Sequence, residues 1–228
     1  MYYSDKEINM TILKSERKMT ITAHSGCEKT PENSIESIVR AFESGADIVE
    51  TDIRYSESGT PVLSHDEPKG GETTLEEAFA KIAQYETLKV NLDIKDTSHL
   101  ETIPVLAEKY SLGNRIFYTG IFEADIPAVR EKTPDMMYLL NMKIVKKKEQ
   151  TESYIKSVAE TIKSCGATGL NANYKNVTKK LVDFLHSEGL CVSLWTVNSR
   201  FSMKRVYKLC PDNMTTKKPS VLRKIINR

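Results

Sequence analysis

The sequence predicts a single α/β domain folded as a (β/α)8 TIM barrel. From residue 19 to residue 228, short apolar segments alternate with amphipathic helical segments in eight pairs. This alternation implies parallel strands joined by right-handed crossovers, and eight such units in 228 residues suit a closed barrel. A doubly wound open sheet is the competing architecture, and it would need about two fewer strands.

The first unit carries strong signals for where its helix begins and ends. A strand is predicted at 20–24. Asn33 is expected to cap the helix that follows, and Glu36 stands where a capping box needs an acidic side chain. Gly45 then ends the helix. The apolar residues between these signals recur at helical spacing, which predicts one buried face.

The second unit is expected to contain a hairpin in addition to its parallel strand. The strand is predicted at 47–53, after which the chain turns near 58–59 and returns at 61–64. Thr73 and Thr74 each have a glutamate three residues later, which is the pattern of a capping box. The next helix is therefore predicted to begin at this point.

The remaining units follow the same alternation with weaker signals. Further strands are predicted at 88–94, 116–119, 137–141, 168–171, 190–197 and 213–216. Further helices are predicted at 123–130, 152–164, 178–187, 199–209 and 219–226. His99 and His186 are assigned to helices, where surface or helix-end positions are expected.

Charge and hydropathy exclude several classes of protein. The formal net charge is +2 and no basic stripe stands out, so no nucleic-acid partner is expected. No segment approaches the ~20 apolar residues that a membrane span requires. Residues 1–18 are rich in charge and lack the apolar stretch of a signal peptide, so they are predicted to be an N-terminal extension of a domain at 19–228.

The four cysteines indicate reduced thiols rather than a structural cross-link. Cys27, Cys165, Cys191 and Cys210 are widely spaced and form no CxxC pair. Neither a zinc site nor a disulfide framework is therefore expected, and a cytoplasmic location is predicted. No oligomeric state is predicted.

Three short clusters in the first half of the chain carry residues suited to catalysis. They are His24-Ser25-Gly26, Glu50-Thr51-Asp52 and His65-Asp66. His24, Glu50 and Asp52 fall near the carboxyl ends of predicted strands, as does Asp93, and TIM barrels build their active sites on that face. Residues two apart on a strand share a face, so Glu50 and Asp52 point the same way.

The residue types in these clusters predict phosphodiester chemistry. Glu50, Asp52 and Asp93 form an all-oxygen set that suits Mg²⁺ or Ca²⁺, whereas zinc prefers more nitrogen or sulfur. His24 and His65 can move protons near neutral pH, one as a base and the other as an acid. The assignment of base and acid between them is open.

The motifs and their order resemble those of the glycerophosphodiester phosphodiesterase family. That family has a His-Arg-Gly strand end, a Pro-Glu-Asn helix start, an alanine-aspartate lead into a Glu-x-Asp strand, a Pro-Val-x-x-His-Asp turn, an acidic-x-Lys strand and a Trp-Thr-Val-Asn strand end. The matching segments are His24-Ser25-Gly26, Pro31-Glu32-Asn33, Gly45-Ala46-Asp47, Glu50-Thr51-Asp52, Pro61 to Asp66, Asp93-Ile94-Lys95 and Trp195 to Asn198. The resemblance runs from about residue 20 to residue 228.

The resemblance implies metal-dependent hydrolysis of a small-molecule glycerophosphodiester to glycerol 3-phosphate and an alcohol. The attacking group is either water or the substrate's own glycerol hydroxyl. Lys95 is expected to contact the phosphate, and Trp195 to form an apolar wall against the glycerol or alcohol part. The alternative for Lys95 is a structural ion pair with Asp93, and the alternative for Trp195 is a place in the core.

The chain departs from the family pattern at three points. Ser25 replaces the family arginine in the predicted substrate site, and a hydroxyl cannot replace the charge of a bidentate phosphate clamp. Asp93 stands where many members have glutamate, and the stretch between His65 and Thr74 lacks an insertion. The alternatives to the usual activity are therefore an altered or inactive barrel that binds a phosphorylated ligand, or a related phospholipid-cleaving phosphodiesterase.

Overall fold

The structure is a computed structural model that describes residues 19–227, so the predicted extension at 1–18 lies outside the described residues. The strands are β1 (Thr20–Ala23), β2 (Ile48–Tyr55), β3 (Pro61–Leu63), β4 (Lys89–Ile94), β5 (Ile116–Ile121), β6 (Tyr138–Asn141), β7 (Gly169–Asn173), β8 (Cys191–Trp195) and β9 (Asn213–Thr216). The helices are α1 (Ile35–Glu43), α2 (Leu75–Ile82), α3 (Thr102–Lys109), α4 (Ile126–Lys132), α5 (Glu152–Cys165), α6 (Lys179–Ser187), α7 (Arg200–Tyr207) and α8 (Pro219–Ile226).

The parallel strands close into a barrel. Their order is β1-β9-β8-β7-β6-β5-β4-β2, and β1 pairs in parallel with β2 through Thr22 with Ile48 and Ala23 with Val49. This closing pair confirms the (β/α)8 barrel and excludes the open sheet. The predicted hairpin is also confirmed, because β3 runs antiparallel to the end of β2.

The barrel interior changes from apolar to polar along its axis. A small buried cluster fills the interior near the amino-terminal ends of the strands, with Ile48, Phe117 and Cys191 among its members. Two residues further along the strands, the inward positions carry Glu50 and Thr119. Since alternate residues share a strand face, the same strands that build the floor also carry the polar groups of the mouth. A larger apolar core packs between the strands and the helices.

The start of α1 differs from its prediction. Ser34 is the N-cap, and its hydroxyl accepts a hydrogen bond from the amide of Ser37, so the predicted Asn33 cap is wrong. Asn33 adopts φ 52°, in the left-handed region that asparagine tolerates better than most residues. The capping box at the start of α2 is confirmed, with Thr74 and Glu77 as its two members.

The segment between β4 and β5 differs in part from its prediction. The eight units implied a helix between β4 and β5, and it lies at Thr102–Lys109 with no side-chain cap at its start. His99 lies in the turn before this helix, so its assignment to a helix is wrong. Its ring packs edge-on against the ring of Tyr55, and the two ring centroids lie 5.3 Å apart. His186 lies in α6 as predicted.

Within the described part of the chain, none of the four cysteines forms a disulfide. Cys27 is buried, and burial raises the pKa of its thiol to about 11. The thiol therefore stays protonated near neutral pH, which argues against a reactive cysteine beside the barrel mouth. No helix between residues 19 and 227 is long and apolar enough to cross a membrane.

Gly169 allows β7 and β8 to approach each other closely. A Cβ atom added at this position would lie 2.1 Å from the carbonyl oxygen of Cys191. We predict that Gly169→Ala lowers the free energy of unfolding by about 1–3 kcal/mol, because the two strands must separate to admit the methyl group. Denaturant unfolding measures this difference.

The matched control is Gly113→Ala. A Cβ at Gly113 meets nothing within 4 Å, so this change should leave stability unchanged or raise it by up to ~1 kcal/mol. Equal losses in the two variants would contradict the steric explanation.

Candidate active site

A cavity of about 780 Å³ opens at the carboxyl-terminal ends of the barrel strands. All of the predicted site residues except Ser25 line it: His24, Glu50, Asp52, His65, Asp93, Lys95 and Trp195. They lie on β2, β4 and β8 and in the loops after β1, β3 and β4. The structure therefore brings together residues that lie up to 171 positions apart in the chain, from His24 to Trp195.

Three carboxylates converge in this cavity. β2 and β4 pair in register so that Asp52 lies directly beside Asp93, and Glu50 lies one inward position below. One oxygen from each of Glu50, Asp52 and Asp93 lies within 4.8 Å of the others. This all-oxygen set fits a hard divalent cation, which takes carboxylate ligands.

Glu50 and Asp52 are both buried, and Asp93 is partly buried. Glu50 lies deepest along the strands of the barrel. It accepts a hydrogen bond of 2.8 Å from the backbone amide of Ser25. Burial raises the pKa of Glu50 well above its usual range, and the neighbouring charges of Asp52 and Asp93 raise it further. The Ser25 amide and Lys95 oppose this rise only in part, so a bound cation would replace a proton at this position.

Lys95 supplies the positive charge between the carboxylates. Its Nζ lies 3.1 Å from Oδ1 of Asp52 and also pairs with Asp93. Burial lowers the pKa of Lys95, but the charges and hydrogen bonds of Asp93 and Asp52 outweigh burial and raise it overall. The structural ion pair that was one of the two alternatives for Lys95 is thus present.

Two residues of β5 lie against the Asp93 carboxylate. Thr119 Oγ1 lies 2.9 Å from Oδ1 of Asp93 and 2.9 Å from Oδ1 of Asn91, so its single proton can serve either oxygen. Gly120 follows with φ 76°, and a Cβ there would lie 2.4 Å from the carbonyl oxygen of Ile94 and 2.8 Å from Asp93. Only glycine therefore lets β5 pass this close to the carboxylate.

Asn33 has a function that the sequence reasoning missed. Its Nδ2 donates to Oδ2 of Asp52 at 2.9 Å, and its Oδ1 accepts from the backbone amide of Asp52 at 3.0 Å. The asparagine therefore orients a carboxylate 19 positions away. The left-handed backbone of Asn33, one residue before the true cap, is what directs the side chain into the barrel mouth.

Ser25 does not contact the cavity that it was predicted to line. Its side chain is 1% exposed, and its hydroxyl accepts a hydrogen bond from the amide of Asn33 and donates one to Oδ1 of that residue. The expectation of a substrate contact is thus not met at this position. Ser25 instead supports Asn33 with its hydroxyl and Glu50 with its amide.

The two histidines have similar surroundings but different exposure. His24 Nδ1 lies 2.9 Å from the carbonyl oxygen of Ser25, and His65 Nδ1 lies 2.9 Å from Oδ1 of Asp66. Both partners accept, so each ring is protonated on Nδ1 and has Nε2 available for proton transfer. The His65 ring is 64% exposed at the rim, while His24 is half-buried beside Glu50.

Other cavity residues were not singled out from the sequence. Arg54 lies two residues after Asp52 on β2, and the same alternation that pairs Glu50 with Asp52 could have identified it. Asn141 is the last residue of β6, Asn171 lies in the middle of β7, and a hydrogen bond of 2.8 Å joins them. No local motif marks either asparagine, so only barrel closure reveals them.

The fold and the site together define a class, namely TIM-barrel phosphodiesterases. A family model described as the glycerophosphoryl diester phosphodiesterase family matches residues 24–98 and 71–221. The chain belongs to this family, and the resemblance inferred from its motifs is confirmed. It is therefore an enzyme of the phosphoric diester hydrolase class.

Two relatives of this chain carry the same family description, and a solved structure shares its fold. A glycerophosphodiester phosphodiesterase of Caldanaerobacter subterraneus subsp. tengcongensis is 27% identical over 92% of this chain and 99% of its own. A second, from Bacillus altitudinis, is 23% identical over 87% of this chain and 94% of its own. A phosphodiesterase of Oleispira antarctica, solved with the product sn-glycerol-3-phosphate, shares the fold with a TM-score of 0.79 at 17% identity, covering 96% and 99% of the chains.

We predict that Asn33→Ala weakens Mg²⁺ or Ca²⁺ binding about 10- to 100-fold, because Asp52 loses both of its hydrogen bonds with Asn33. Isothermal titration calorimetry measures the affinity. The control is Ser34→Ala, which removes the cap of α1 at a cost of about 1 kcal/mol in stability and should leave the affinity unchanged. Equal loss in both variants would show that Asn33 acts only through the helix.

Cation binding should depend on pH through Glu50. The raised pKa of this carboxyl means that the metal-free protein keeps a proton there at acidic pH. A cation must displace that proton, so we predict that affinity rises from acidic to alkaline pH and levels off above the raised pKa of Glu50. Thermal shifts with added Mg²⁺ or Ca²⁺ across this range test it, and a shift that falls with rising pH would contradict it.

Proposed function

We propose that the protein hydrolyses glycerophosphodiesters to glycerol 3-phosphate and an alcohol. In this proposal, Glu50, Asp52 and Asp93 hold a divalent cation, and His24 and His65 move the protons. The observation that carries the proposal is that one cavity holds three carboxylates with oxygens within 4.8 Å of one another together with both imidazoles. Membership of the family supports the same substrate class.

Mg²⁺ and Ca²⁺ are the cations that we propose for the carboxylate site. The donor set is entirely oxygen, which suits hard cations and lacks the nitrogen or sulfur that zinc prefers. When bound, such an ion would neutralise charge that develops on the phosphate oxygens. Burial and the hydrogen bonds from Ser25 and Asn33 hold the carboxylates ready for it.

His24 and His65 are proposed as the two proton-transfer groups. Each ring is anchored through Nδ1, so Nε2 can accept a proton from the attacking hydroxyl or donate one to the leaving alkoxide. Pairing with His65 lowers the pKa of Asp66, so this carboxylate stays ionised beside the ring. A phosphodiester that binds between the two rings would have one on each side of the phosphorus atom.

Lys95 and Trp195 are proposed to contact the substrate. Lys95 lies beside the carboxylates in the cavity, where its charge can also serve a phosphate oxygen. Trp195 lines the cavity at the end of β8, and its ring can pack against the glycerol or alcohol part. We further propose a small-molecule substrate without a nucleic-acid partner, and a cytoplasmic location that the four thiols support.

The direct test is a hydrolysis assay with a panel of glycerophosphodiesters and added Mg²⁺ or Ca²⁺. We expect glycerol 3-phosphate to be released in a cation-dependent way and to disappear with a chelator. His24→Ala and His65→Ala should each lower kcat at least about 100-fold, because each removes one proton-transfer step. His186→Ala, which changes a histidine on the outer helix α6, is the matched control and should keep full activity.

The leaving group distinguishes the acid from the base. A p-nitrophenolate leaving group needs no proton, so the variant that lacks the acid should recover most of its rate with a p-nitrophenyl diester. The variant that lacks the base should stay impaired. No product from any diester in the wild-type protein would overturn the proposed function.

A further inference from the structure

Arg54 lies in the cavity on the same strand as two of the carboxylates. It follows Asp52 by two residues and Glu50 by four, so the three side chains share one face of β2. The Arg54 side chain is 21% exposed and lines the cavity. Ser25, which stands where the family has arginine, is buried and hydrogen-bonded to Asn33. Arg54 therefore supplies a guanidinium at the barrel mouth that position 25 lacks.

The guanidinium contacts the loop that carries His65. Arg54 Nε donates a hydrogen bond of 3.0 Å to the carbonyl oxygen of His65, and Nη1 pairs with Oε1 of Glu67 at 2.5 Å. The Glu67 side chain is 84% exposed, so its carboxylate makes this contact at the protein surface. The backbone hydrogen bond is therefore the more informative contact, since it holds a catalytic residue by its main chain.

The loop is anchored at both ends but projects into solvent between them. At its start, the amide of Ser64 donates to the carbonyl oxygen of Asp52 at 3.1 Å, and at its end the amide of Leu63 donates to the carbonyl oxygen of Thr73 at 2.8 Å. Between these points the side chains of His65 and Glu67 are mostly exposed, so little buried area holds them. Arg54 reaches the loop between the two anchors.

We infer that Arg54 is a positioning residue for His65. By holding the His65 carbonyl, it keeps the imidazole turned toward the cavity instead of allowing the loop to swing into solvent. Glu67 in turn holds the guanidinium in the orientation that reaches this carbonyl. The effect of Arg54 on the reaction therefore passes through His65, and it should appear in kcat more than in KM. The inference rests on the proposed catalytic function of His65.

The first experiment measures the loop directly and needs no activity. Backbone hydrogen exchange of residues 65–72 should become faster by about tenfold in Arg54→Met, because the middle of the loop is no longer held. Arg40→Met is the matched control, since Arg40 also pairs with a glutamate, Glu43, on the surface of α1. Unchanged exchange of the loop in Arg54→Met would overturn the inference.

The second experiment is a double-mutant cycle between Arg54 and His65. Arg54→Met should lower kcat about 10- to 100-fold with KM within about threefold of the wild-type value, because the imidazole is displaced. In the His65→Ala background the same change should have almost no further effect. Additive losses, or a loss confined to KM, would indicate that Arg54 binds the substrate phosphate itself and would overturn the inference.

The two experiments separate failure of the inference from failure of the proposed function. A wild-type protein without activity would reject the proposed function, and hydrogen exchange would still decide whether Arg54 holds the loop. An active wild-type protein whose loop exchange does not respond to Arg54→Met would reject the inference alone.

Discussion

The repulsion among three carboxylates on two neighbouring strands is the constraint around which the barrel mouth is built. The parallel register of β2 and β4 sets Asp52 directly beside Asp93, and the inward face of β2 adds Glu50 one step below. Neighbouring positions in a sheet lie only about 5 Å apart, so these charges cannot move away from one another. Lys95 balances them in part, and burial together with the remaining repulsion raises the pKa of Glu50. The site is thus arranged to gain from a divalent cation.

The groups around the carboxylates act mainly as donors that fix their orientation. The amide of Ser25 donates to Glu50, Asn33 donates to Asp52, and Thr119 lies within hydrogen-bond distance of Asp93. Ser25 is therefore compatible with the cluster of three carboxylates although it lacks the charge of the family arginine. Its hydroxyl forms hydrogen bonds with Asn33, which in turn orients Asp52.

The repeating units of the barrel could be predicted because their signals are local. Most strands contain short runs of apolar residues. Helices such as α2 are marked by a capping box at Thr74 and by a buried face that includes Phe79. The N-cap of α1 was harder to predict, because the neighbouring residues Asn33 and Ser34 are both good capping residues. The choice depended on Asp52, which lies 19 positions further along and draws the Asn33 side chain to itself. The turn at His99 was missed for a related reason, since no capping side chain marks the start of α3.

The sequence by itself determined the fold class and the family, and it identified most of the candidate residues that line the cavity. Periodicity of apolar residues depends on neighbours a few positions away, and the motifs are contiguous, so both can be read directly from the chain. Only the tertiary structure decided what those residues contact. Barrel closure places the end of β8 and the loop after β1 around one cavity, and Ser25 is buried beside it. The β2–β3 hairpin sets Arg54 against the carbonyl of His65. Such contacts depend on strand register and loop direction, which are properties of the packed barrel and have no counterpart in local sequence.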